Sequence, residues 1–113
     1  MRTGIMKLIL PPEDKIFFSI FQESSSNCLE TAKLYSEIIH STVTNEKVNR
    51  ASELKSRSNK LTKECLHRLH QTFITPFDRE DIQHLNQLHN RITKRIVKAS
   101  FNLQVYRLNQ YND

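Results

Sequence analysis

The stretch Phe73-Ile74-Thr75-Pro76-Phe77-Asp78-Arg79-Glu80-Asp81-Ile82 decides the fold, because it joins an apolar helix end, a proline break and an acid-rich helix start. Phe73 and Ile74 are expected to close one helix. Pro76 cannot continue it, since its ring removes a backbone donor and confines Thr75 to extended geometry. The next helix then opens at Asp78, whose carboxylate can accept from the freed N–H groups of the first turn. Glu80 and Asp81 add negative charge at the positive end of the helix dipole. On these physical grounds alone, the stretch reads equally well as a plain interhelical corner.

Working outward, apolar residues recur at three and four spacing on both sides of this joint. Upstream, Val48, Ala51, Leu54, Ser58, Leu61, Cys65, Leu69 and Phe73 form one stripe of a helix over 45–73. Before it, Phe17, Ile20, Phe21, Cys28, Ala32, Tyr35, Ile38 and Ile39 form the stripe of a helix over 12–41, with Pro12 suited to its first turn. The small side chains Ser24, Ser25 and Ser26 within it permit close packing. Between these two helices, the hydroxyl and amide side chains around Ser41 to Asn45 compete with the helical backbone, and one of them can cap the second helix. Downstream, Ile82, Leu85, Leu88, Ile92, Ile96, Ala99, Leu103 and Tyr106 predict a third helix over 79–109. The fold class is all-α, an up-down-up three-helix bundle in a single domain over 1–113.

Composition agrees. A single glycine argues against a sheet with many turns, and 37% apolar residues support only a modest core. The net charge of +5 is uneven: residues 1–56 carry seven basic and seven acidic side chains, residues 57–113 ten basic and five acidic. A basic solvated helix face is the plain reading of this excess, and attraction to an acidic partner, nucleic acid or anionic membrane the functional one. The apolar run over 5–10 is too short for a signal core or a membrane span, so a cytoplasmic location is expected. Cys28 and Cys65 fit a reducing compartment. In an antiparallel hairpin turning near Thr42 they sit about 12 Å out of register, at about 1.5 Å per residue, so no disulfide is expected between them.

The third helix has a second apolar face. At about 100° per residue, Val97, Phe101, Val105 and Leu108 fall together, away from the Ile96, Ala99, Leu103 and Tyr106 line. This face either widens the core contact or waits for a partner, and a homodimer through it is one expected outcome.

The joint string resembles that of the PhoU-like phosphate transport regulators, the divergent branch described as accessory proteins of the low-affinity inorganic phosphate transporter. The segment Leu10-Pro11-Pro12-Glu13-Asp14-Lys15, followed by Phe17, Phe18 and Phe21, is similar to the family's opening, as is 32–39. The likeness covers most of this chain but only the first half of that family's longer fold. It implies a regulator or accessory protein acting on a phosphate permease or a signalling protein.

Members of the family carry paired acidic residues one helical turn apart that bind metal clusters. Matched without gaps, the corresponding positions here are Lys55 with Asn59 and Asn90 with Lys94. Neither pair retains a carboxylate, and a charged lysine does not ligate a divalent cation. No metal site and no cofactor is therefore expected. His67, His70, His84 and His89 read as surface residues on polar faces, with a two- or three-imidazole site as the sharper alternative. Cys65 lies on the core stripe and no glycine-rich anion loop accompanies it, so no catalytic residue is assigned and no enzyme activity is expected. Phosphate at the start of the third helix would meet Asp78, Glu80 and Asp81, which repel it.

The leading expectation is thus a non-catalytic helical regulator or accessory protein working through protein–protein contacts. A nucleic-acid binder is the alternative, with Arg91, Lys94, Arg95 and Lys98 as its phosphate-contacting cluster; these four span two turns and are not expected to share one face. A truncated remnant without independent function is the third reading.

Overall fold

The structure, a computed structural model, describes residues 12–41 and 43–112, and gives no side-chain placement for residues 12, 13 and 108–112. The expectations for 5–10, for Leu10, Pro11 and Thr42, and for the side chain of Leu108 lie outside the described residues. Three helices follow one another: α1 (Pro12–His40), α2 (Asn45–Gln71) and α3 (Arg79–Asn112). Each packs against both others, which makes the expected all-α three-helix bundle. The overall extents of 60 × 30 × 19 Å follow from helices of this length, at about 1.5 Å per residue, lying side by side.

Thr44 is the cap foreseen in the first corner. Its extended backbone (φ −118°, ψ 160°) lets its hydroxyl accept from the Lys47 N–H at 3.2 Å. The core divides into two apolar clusters. Near the α2–α3 joint, Phe17, Ile20, Phe21, Cys65, Leu69 and Ile82 pack together, with Phe77 and Leu85 at the edge. Toward the other end, Leu34, Ile38, Ala51, Leu54 and Val97 form the second, with Val43, Phe101 and Leu103 against it.

Buried polar residues lie on the same inward lines: Ser24, Asn27 and Thr31 on α1, Ser58 on α2, Asn86, Thr93 and Ser100 on α3. Thr31 and Ser100 bond back to Asn27 O and Ile96 O of their own helices, while three other bonds cross the bundle. Asn27 Nδ2 donates to Leu54 O at 2.9 Å, Ser58 Oγ to Asn90 Oδ1 at 3.0 Å and Asn86 Nδ2 to Thr62 O at 3.0 Å. These pairings have no equivalent at a shifted register, so they specify one axial alignment of the helices.

Three expectations need correction. Helix α2 ends at Gln71, and Phe73 (93% exposed) and Ile74 (78%) project into solvent. Thr72 is already extended (φ −98°, ψ 120°), so the chain leaves the helix before those residues reach its inner face. The inward face of α1 keeps Phe17, Ile20, Phe21 and Ile38 of the apolar stripe but not its middle: Cys28 and Tyr35 are only half-buried, and Ala32 and Ile39 are exposed. On α3, Leu88 (47% exposed) and Tyr106 (59%) also stay outside, with Ile92. The bundle turns the lines carrying Ser24, Thr31, Thr93 and Ser100 inward because small side chains let helix axes approach, and leaves the larger apolar flank at the rim. Finally, Val97 is not a free interface residue. It is 3% exposed within the second cluster and Phe101 packs against that cluster, whereas Val105 is 56% exposed. The extra face is thus largely consumed by the chain's own core.

Candidate functional site

The joint is a set of reciprocal caps. Asp78 Oδ1 accepts from the Glu80 N–H at 2.8 Å, and Asp78 O accepts the first helical bond of α3 from the Ile82 N–H at 3.0 Å. Glu80 and Asp81 occupy the first turn, as the dipole favours. Between the helices, Thr75 Oγ1 donates to Phe77 O at 2.6 Å. Phe77, rather than Phe73, plugs the corner, its ring centroid 6.1 Å from those of Phe18 and Phe21.

Two arginines complete the arrangement: Arg79, part of the joint string but given no role of its own above, and Arg107, which the sequence did not single out. The Arg79 guanidinium donates to Leu69 O at 2.7 Å, to Phe73 O at 3.1 Å and to Thr72 O, closing the carbonyl end of α2. At the opposite end of α3, Arg107 donates to Ile38 O at 2.7 Å, Ile39 O at 2.7 Å and Ser41 O at 2.6 Å, closing the carbonyl end of α1. Each cation meets the negative pole of a helix whose last carbonyls have no intrahelical donor. The spacing of Arg79 from the α2 end was a readable signal; that of Arg107, 66 residues or more from its acceptors, was not.

The positions matched to the acidic motifs converge. Lys55 on α2 and Lys94 on α3 line one depression with Val97, Lys98 and Phe101. Asn90 lies beside Ser58, and Asn59 is half-buried. Arg91, Lys94, Arg95 and Lys98 all line a second, adjoining depression with Thr62, Gln87 and Asn90. The expectation that these four cations do not share a face is therefore corrected: their i, i+3, i+4 and i+7 spacing places them within about 100° of one another around α3. Among the described residues, no group of three or more His, Cys, Asp or Glu side chains is placed to hold a metal ion.

The histidines belong to no group of three or more such ligands among the described residues. His67, His70 and His84 are exposed. His89 is half-buried with its ring centroid 6.2 Å from that of Phe21 and its Nε2 3.2 Å from Ser25 Oγ; burial pushes its pKa below the ordinary 6.5. Cys28 Sγ donates to the His89 carbonyl at 3.4 Å, not to its ring. Both cysteines are free thiols. Burial, with a smaller contribution from Glu64, pushes Cys65 up to about 11, which keeps it protonated and unreactive.

No helix among the described residues is long and apolar enough to cross a membrane. No protein-family model and no solved structure matches the chain. It is similar to a protein of Rhizobium meliloti (strain 1021) named "Putative pit accessory protein", 32% identical over 85 residues. That alignment covers 74% of this chain but 39% of the relative, so the chain spans about two fifths of the relative's length. The comparison links the chain to the pit accessory proteins.

Proposed function

We propose that the chain is a PhoU-like accessory or regulatory module of inorganic phosphate transport, non-catalytic and cytoplasmic, acting by contact with the phosphate permease. The observation that carries this reading is the 32% identity to the R. meliloti protein named for that accessory role. The side chains support a binding rather than a chemical role: Cys65 is buried with a raised pKa, and the Cys28 thiol donates to the His89 carbonyl rather than to its ring. The apolar rim supplies a contact surface. Leu88, Ile92 and Tyr106 are exposed and, at about 100° per residue, fall within about 40° of one another on α3. An exposed apolar flank of this kind suits a helical protein surface.

The test is affinity capture of the permease from membranes by the intact chain and by a Leu88→Asp/Ile92→Asp variant, with sedimentation of the chain alone. Capture by the first and not by the second supports the reading. Failure of both to capture a permease, or a stable dimer that Ile92→Asp dissociates, would contradict it and give the flank to a second copy instead.

A further inference from the structure

The two adjoining depressions between α2 and α3 are strongly basic. Five cations border them: Lys55 from α2, and Arg91, Lys94, Arg95 and Lys98 from α3. Lys94 and Lys98 belong to both. Among the described residues, no carboxylate lines either depression. Among the described residues the ion pairs are those of Arg50 with Glu30 and Glu53, so none of the five is neutralised by a salt bridge there. Beneath them, Asn90 accepts from Ser58 through Oδ1, which leaves its amide NH2 group as a neutral donor beside the cations.

Holding five like charges together opposes folding, and nothing in the core requires it. Val97 and Phe101 fill the space behind the depressions without the ammonium groups. Such a cluster becomes favourable when a counter-charge binds, because guanidinium and ammonium donors make their strongest hydrogen bonds to phosphate oxygens. We infer that this groove binds a compact ligand carrying two or more linked phosphate groups.

Shape selects that ligand among polyanions. The depressions have volumes of about 350 Å³ and about 310 Å³, at the lower end of small-molecule sites. From Arg91 to Lys98 α3 advances only about 10 Å, at about 1.5 Å per residue. A nucleic-acid duplex or a membrane presents its phosphates over a broad surface, whereas these exposed cations border two small, open depressions. The site lies on α2 and α3, away from the α1 side chains, and the inference does not rest on the transport reading.

The experiment is titration calorimetry of the full chain with inorganic triphosphate at low ionic strength. Orthophosphate, phosphatidylserine vesicles and a DNA duplex form separate arms. Two variants accompany it: Lys94→Gln/Lys98→Gln in the groove, and Lys15→Gln/Lys33→Gln, which removes the same charge from exposed positions on α1. Circular dichroism checks that both fold. The expected result is saturable binding of one triphosphate per chain, weakening steeply with salt, and reduced at least about tenfold by the groove variant while the α1 variant changes it less than about twofold. Absence of saturable binding, or equal loss in the two variants, would overturn the inference. Equal affinity for orthophosphate would refute the linked-phosphate requirement. Tighter, Lys94-dependent binding of duplex or vesicle would assign the face to a macromolecular surface and reject the small ligand.

Discussion

Replacing Phe77 by alanine should destabilise the bundle far more than replacing Phe73, although both rings stand in the same joint. Phe77 packs against the cluster of Phe17, Ile20, Phe21, Cys65, Leu69 and Ile82, and its ring lies 6.1 Å from two other rings. A fully buried phenylalanine changed to alanine costs about 3–5 kcal/mol. Phe77 is half-buried, which takes that to about 2 kcal/mol, and its tilted contacts with Phe18 and Phe21 add roughly 0.5 kcal/mol or more. Phe73 is 93% exposed, so its loss should stay within about 0.5 kcal/mol. Urea unfolding followed by circular dichroism reads the difference directly. With a slope of about 1–3 kcal/mol per molar for a protein of this size, Phe77→Ala should lower the midpoint by roughly 1 M and Phe73→Ala hardly at all. Equal effects, or a larger one at Phe73, would mean that α2 continues to Phe73 and buries its ring, and the described joint would be wrong.

Three further outcomes follow from the same geometry. Arg107→Met removes three hydrogen bonds from a half-buried guanidinium and should cost about 2 kcal/mol, with Arg79→Met nearer 1 kcal/mol because that side chain is exposed; both are measured by urea unfolding, and a silent Arg107 change would contradict the capping role. His89 has a folded pKa below 6.5, so as pH falls through 6.5 the unfolded chain takes up the proton first and stability declines until the folded pKa is passed. Unfolding midpoints at neutral and mildly acidic pH should show this decline, and His89→Gln should reduce it. A thiol reagent should modify Cys28 well before Cys65, because Cys65 is 1% exposed and protonated to about pH 11; simultaneous labelling of the native protein would refute its burial.

The helices were legible because their strongest determinants are local. Pro76 and Asp78 act within one turn, and Asp78 bonds to Glu80 as its residue type and position imply. The hydroxyl-rich corner likewise yielded its cap at Thr44. Which face each helix turns inward was less legible, since it depends on how near the partner backbones come. Counting apolar side chains favoured Ala32 and Ile92, whereas packing selected Thr31 and Thr93, one residue away in each case. Arg107 could not be foreseen, because its acceptors are carbonyls on another helix and leave no side-chain signature. The same limitation explains the basic cluster: Lys55 and Lys94 gain their meaning only once α2 and α3 lie side by side.

Phosphate uptake is the most direct test of the proposed role. Cells lacking the gene, complemented with the intact chain or with the Leu88→Asp/Ile92→Asp variant, would be supplied with labelled orthophosphate while permease abundance is monitored. The expected result is altered permease-dependent uptake in the deletion, restored by the intact chain but not by a folded variant expressed to the same level. Unchanged uptake and unchanged phosphate-dependent regulation on deletion would contradict the accessory role.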